Sequence, residues 1–316
     1  MTRVAAFDCG TNSLRLLVAR IDVASGTSED LVREMRIVRL GQGVDSTGRI
    51  ADASLKRVFA AIEDYMQIVR EHDVRQIRFC ATSAARDAEN ADDFVLGVRE
   101  RLGVEPEVLD GLEEARVSFD GATRDLPPMP EPLLVVDIGG GSTELILGQA
   151  DGSIVARESL DIGSVRLNER HLHGDPPSDQ EVEAAVADID EALDACSVDL
   201  SSAGAVIGVA GTVTTLAAGV LDLDSYDSTV IHHSVLRPDA VQSLVGRLLT
   251  MFVEQRKALP YMHPGRADVI GAGGLILDRV LRRTTVNSML VSEHDILDGI
   301  AWSLVAPAEP SDGKDS

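Results

Sequence analysis

The stretch VVDIGGGSTELILG, Val135–Gly148, places an aspartate at the end of an apolar run, then three glycines, then Ser-Thr-Glu. The residues leading into it are apolar throughout, so they read as a strand buried on both faces, with Asp137 emerging at its C-terminal end. Glycines at that point let the chain turn tightly and let a bulky group approach the peptide N–H groups. Ser142 and Thr143 add hydroxyls, and Glu144 brings a second carboxylate one short loop away. Such donors suit phosphate oxygens, and carboxylates suit the hard cation that phosphate brings with it. The plain alternative is a structural turn in an ordinary α/β protein.

The same layout stands near the N-terminus, where VAAFDCGTNSLRLLV again runs strand, Asp-x-Gly, hydroxyl-bearing turn, strand. Asp8 aligns with Asp137, Gly10 with Gly139 and Leu14 with Leu145, which suggests a duplicated fold. DLPPMPEP, residues 125–132, is the proline-dense stretch of the chain and reads as the hinge between the copies. The expected units are therefore 1–126 and 127–292, with a last amphipathic helix at about 293–306 packing back on the first and a disordered tail at 307–316. Between the hairpins, EMRIVRLGQGV reads as a third strand, and Leu55, Val58, Phe59, Ile62, Met66 and Val69 follow helical spacing. AVIGVAGTVTTLAAGVL reads as strand, Gly-Thr turn and helix.

A length of 316 residues suits two domains, and a hydrophobic content of 44% suits a folded protein. The formal charge of -23 opposes general binding to nucleic acid or an anionic membrane, but leaves room for a polyanion held in a local basic cleft. An acid precedes any signal-peptide core, no run is apolar enough to span a bilayer, and three scattered cysteines offer no disulfide framework. A cytoplasmic location is expected. His232-His233 lacks a third ligand at metal spacing and reads as a polar pair; Cys9 has no partner for a nucleophilic dyad.

Two facing domains that each offer an Asp-x-Gly turn resemble the actin, Hsp70 and sugar-kinase superfamily. Within it, DCGTNSLRL, ATSAARDAEN, GLEEARVSFDGA, DIGGGSTELILG, IGSVRLNE, GVAGTVTTLA, HPGRADVI and SEHDILDGIA together resemble the exopolyphosphatase / guanosine pentaphosphate phosphohydrolase family, in its short two-domain form. The resemblance implies an α/β fold of two actin-like (ASKHA, ribonuclease H-like) domains with an interdomain cleft. It also implies Mg²⁺-dependent hydrolysis of a terminal phosphoanhydride by water, with Mn²⁺ as a second choice of metal. Thr11 stands where the family commonly has serine, and the hydroxyl is kept.

The residue chemistry fits that reaction. Glu114, near the start of a helix before the hinge, matches the family's catalytic glutamate and is the expected general base, with Glu113 the lesser alternative. Asp8, Asp137 and Glu144 are the candidate metal ligands, and Glu144 is also a candidate for positioning the water. Phosphate contacts are expected from Asn12 and Ser13, from Gly139, Gly140, Gly141, Ser142 and Thr143, and from Gly211 and Thr212 at a third turn. Arg15, Arg86 and Arg266 offer forked donors, the alternative for each being a surface ion pair, and Arg166 is a further candidate. Inorganic polyphosphate and guanosine penta- or tetraphosphate are the expected ligands, and a homodimer is compatible with the sequence. A non-catalytic alarmone or nucleotide sensor, and a sugar or acetate kinase, are the competing readings.

Overall fold

The computed structural model describes residues 1–305, so the expected tail from 307 lies outside the described residues. Two sheets organise the chain. The first contains β1 (Thr2–Cys9), β2 (Ser13–Asp22), β3 (Thr27–Ile37), β4 (Gln76–Ala81) and β5 (Glu107–Val108) in the order β3-β2-β1-β4-β5. The second contains β6 (Leu133–Ile138), β7 (Thr143–Gly148), β8 (Ile154–Leu160), β9 (Ala205–Val209), β10 (Val235–Leu236) and β11 (Met289–Val291) in the order β10-β11-β9-β6-β7-β8. Three antiparallel strands followed by parallel ones, β3-β2-β1-β4-β5, recur as β8-β7-β6-β9-β11. This is the duplicated α/β fold of actin-like domains.

Strand register corrects one detail of the repeat. Asp8 pairs across with Arg15 and Asp137 with Glu144, so the equivalent of Leu14 is Thr143 rather than Leu145. Matching leucine to leucine put the second strand two residues out. The third strand begins earlier than its apolar residues suggest, because its first four residues, TSED, are exposed, and it ends sooner, at Ile37.

Each central strand is buried on both faces, and alternate residues feed different cores. Ala5, Phe7 and Cys9 of β1 meet the helices Asp52–Glu71 and Ala91–Leu102, while Val4 and Ala6 meet Ile296, Leu297 and Ile300. In β6, Leu134 and Val136 join the large helical core of the second half, and Leu133 and Val135 pack on Ala115, Phe119 and Ala122. Helix Gly111–Thr123 therefore presents Ala115, Phe119 and Ala122 to the second sheet, and its Val117 joins the core of the first. Helix Ile296–Ser303 covers the first sheet and crosses helix Gly111–Thr123. At the crossing a Cβ on Gly121 would sit 1.9 Å from the Asp295 carbonyl oxygen, and one on Gly299 2.0 Å from that of Val117. The helices touch backbone to backbone. No helix among the described residues is long and apolar enough to cross a membrane.

Candidate active site

The turns of the two hairpins are built alike. Gly10 N–H donates to Ser13 O at 2.9 Å, and Gly139 N–H donates to Ser142 O at 3.0 Å. They meet tip to tip, for a Cβ on Gly140 would lie 2.8 Å from that of Thr11. Behind them is a cavity of about 90 Å³ walled by both halves of the chain. Asp8 at the end of β1, Asp137 near the end of β6, Glu144 on β7 and Glu114 on the helix Gly111–Thr123 all reach it. None of the four is more than 6% exposed.

Each carboxylate is held by a neighbour. Arg15, opposite Asp8 in the sheet, donates to Asp8 Oδ2 from Nη2 at 2.6 Å and from Nε at 2.8 Å, and also pairs with Asp295. Ser118 Oγ donates to Asp137 Oδ2 at 2.5 Å and Ser159 Oγ to Glu144 Oε1 at 2.7 Å. Arg86 Nη1 donates to Glu114 Oε2 and to the Leu109 carbonyl, both at 2.9 Å. Asp110 caps the helix by accepting from Leu112 N and Glu113 N, which fixes the first turn and aims Glu114 inward. Glu113 points away, to Arg116 at 2.8 Å.

Burying four acids together is costly, and their proton affinities record it. Burial, opposed by Arg86, raises Glu114 to about 7. Burial and the charge of Asp295 raise Asp137 to about 7. Burial, with Glu114 and Asp137 alongside, lifts Glu144 well above the usual carboxylate range, and burial lifts Asp8 against the pull of Arg15. Asp295 goes the other way: burial would raise it, but Arg15, the Leu297 N–H and Arg33 together hold it below the usual value. A cluster of oxygen donors under mutual repulsion fits a hard divalent cation, whose charge would relieve it.

Of the expected phosphate contacts, Asn12, Ser13, Arg15, Gly139, Gly140, Ser142, Gly211, Thr212 and Arg266 line the cavity. Three do not. The Thr143 hydroxyl, fully buried, donates to Ile162 O at 2.6 Å, because strand alternation turns it away from the face that carries Glu144. Gly141 faces a separate small pocket beside Arg166, and Arg86 is tied to Glu114. Arg166 bridges the halves through Asp45 at 2.6 Å and Asp87. At the third turn β9 runs straight into the helix Ala210–Val220 without an intervening loop. There Gly211 makes room for Arg266, whose guanidinium carbon would lie 2.3 Å from an added Cβ. Arg266 donates to Thr215 Oγ1 at 3.3 Å and has no ion pair among the described residues.

Several residues of the site escaped the sequence reading. Thr82 and Ser83 line the cavity, with Ser83 Oγ 2.9 Å from Thr11 Oγ1. Ser118 lies one helical turn after Glu114, a spacing that could have identified it. Ser159 and Asp295 reach the site only through the fold. A second, roomier cavity of about 580 Å³ continues past Arg15 and Arg266, with Met35, Tyr226, Tyr261 and Met262 in its wall.

Comparison with known proteins agrees with this geometry. The model of the Ppx/GppA phosphatase family matches residues 17–307. The chain is 46% identical to Exopolyphosphatase 2 of Mycobacterium tuberculosis, over 96% of this chain and 99% of that one. The crystal structure of an exopolyphosphatase-like protein superposes with a TM-score of 0.91 at 41% identity, covering 95% of this chain and 98% of the other. That of an Aquifex aeolicus Ppx/GppA family member gives 0.81 at 30% identity, covering 96% and 97%. With two like halves closing on a carboxylate-walled cavity, this chain belongs to the Ppx/GppA phosphatase family.

Proposed function

We propose that the protein is an exopolyphosphatase, releasing orthophosphate from the end of an inorganic polyphosphate chain held between two domains, residues 1–126 and 127–292. The observation that carries this reading is the convergence of Asp8, Glu114, Asp137 and Glu144 on one cavity whose rim holds hydroxyls, glycine turns and Arg266. Asp8, Asp137 and Glu144 would hold Mg²⁺ or Mn²⁺, directly or through its waters, and such an ion neutralises anhydride oxygens as charge shifts to the leaving group. Ser13, Ser142, Thr212 and the glycine turns orient the terminal phosphoryl group, and Arg266 supplies a cation not committed to a carboxylate. Glu114, ionised and held by Arg86, accepts the proton of a water as its oxygen bonds to the terminal phosphorus. The bridging P–O bond breaks and its electron pair stays on the shortened chain.

A second reading, removal of the 5′-phosphate of guanosine pentaphosphate, is favoured by the second cavity. Its tyrosine and methionine wall suits a nucleoside better than further phosphates. Purified protein with Mg²⁺ and medium-chain polyphosphate, guanosine pentaphosphate or ATP distinguishes the readings by phosphate release. Release from polyphosphate is expected. Release from guanosine pentaphosphate alone selects the second reading, and release from none selects a non-catalytic sensor.

A further inference from the structure

The pair His232-His233 acquires in the fold the third ligand that its sequence lacks. Asp125, just past the helix Gly111–Thr123, gathers three imidazoles around Oδ2: His232 Nε2 at 2.9 Å, His294 Nδ1 at 3.2 Å and His233 Nε2 at 3.7 Å. The rings of His232 and His233 stack at 3.8 Å between centroids, and His294 lies 4.7 Å from His232. Neighbouring residues seldom aim at one point. These do because His233 adopts φ 62°, a left-handed conformation that side chains rarely tolerate, held by its N–H to Val291 O at 2.7 Å. Despite that strain, His233 Nε2 is buried with no hydrogen-bond partner. An orphaned imidazole nitrogen aimed at a carboxylate is poor design for a polar cluster and good design for a ligand.

We propose that Asp125, His232 and His233 bind one divalent cation of the Zn²⁺ class, with His294 as a neighbouring fourth donor. The donor atoms of the first three lie within 4.8 Å of one another. Tetrahedral ligands of Zn²⁺ stand about 3.3 Å apart, so side-chain adjustments suffice. Imidazole donors select against Mg²⁺, and none of the four residues lines the catalytic cavity. Two contacts must yield: the His232 Nε2–H to Asp125 Oδ2 hydrogen bond of 2.9 Å gives way to the cation, and the contact at Nδ1 is lost with it. His232 Nδ1 accepts the Glu293 N–H at 3.1 Å, which places the ring proton on Nε2. A metal at Nε2 moves that proton to Nδ1, and the Glu293 amide turns away. The cation would tie the end of the first half to the second beside the proline-rich hinge.

Co²⁺ is the probe, added to the full chain in millimolar Mg²⁺ so that the catalytic carboxylates are already filled. Visible absorption bands of four-coordinate Co²⁺ should saturate at one equivalent and vanish when Zn²⁺ is added. His233→Asn suits the left-handed backbone and so keeps the fold; it should weaken Co²⁺ binding at least tenfold, whereas Glu114→Gln should leave it unchanged. Hydrogen exchange at the Glu293 amide should quicken when Zn²⁺ binds. Absence of the bands, their persistence in His233→Asn, or their loss in Glu114→Gln overturns the assignment, as does an unchanged Glu293 amide.

Discussion

In the proposed reaction Glu114 is the water-activating base, placed at the wall of the cavity and paired with Arg86. Glu114→Gln keeps the shape and loses the base, so kcat should fall by about 10³-fold while KM stays within about a factor of three. Steady-state kinetics on polyphosphate checks this, and a variant that keeps a tenth of its turnover removes Glu114 from the role. Arg86 is the group that opposes burial at Glu114. Because the base must be ionised, activity falls as pH drops through its pKa. Removing the guanidinium removes a lowering influence. Arg86→Ala should therefore move the acid limb of kcat/KM to higher pH, and an unmoved or more acidic limb contradicts the pairing. The identities of these residues were legible in sequence, because the motifs that contain them are local. The face each side chain presents was less so: Thr143 and Glu144 differ only by strand alternation, and only the second reaches the cavity.

The elements that build the site are two hairpins and two crossing helices, and they were legible to different degrees. Strand, Asp-x-Gly turn and return strand lie within a few residues, so period and punctuation reveal them. Nothing local says that helix Gly111–Thr123 lays Phe119 against a strand from the other half, or that Ser159 on β8 will hold Glu144. Those contacts come from tertiary packing. Gly121 is the sharpest case. It reads as an ordinary helical glycine, yet a methyl group there meets the Asp295 carbonyl oxygen at 1.9 Å. Both partners are backbone and cannot step aside, so Gly121→Ala should destabilise the fold by about 3 kcal/mol, the upper end for an overpacked core. Urea denaturation measures it; an unchanged midpoint denies the close crossing. The shift should also disturb Arg15, which Asp295 holds.

At the scale of the whole molecule, duplication supplied two similar hairpins and substitution made them unlike. The position across from the aspartate is Arg15 in the first half and Glu144 in the second. One half thus brings a cation and the other an extra acid to the same cavity. The molecule as a whole carries a charge of -23, and a polyanion longer than the cleft lies against that field. Turnover per chain end should therefore decline for very long polyphosphate, and added monovalent salt should narrow the gap by screening the exposed segment. Faster turnover of the long polymer would mean that a basic track exists outside the cleft.

The direct test follows oxygen. With polyphosphate, Mg²⁺ and ¹⁸O-enriched water, attack by a Glu114-activated water at the terminal phosphorus puts one label in each released orthophosphate and none in the remaining chain. Label in the shortened chain, or orthophosphate released without label, would place the bond cleavage elsewhere and contradict that mechanism.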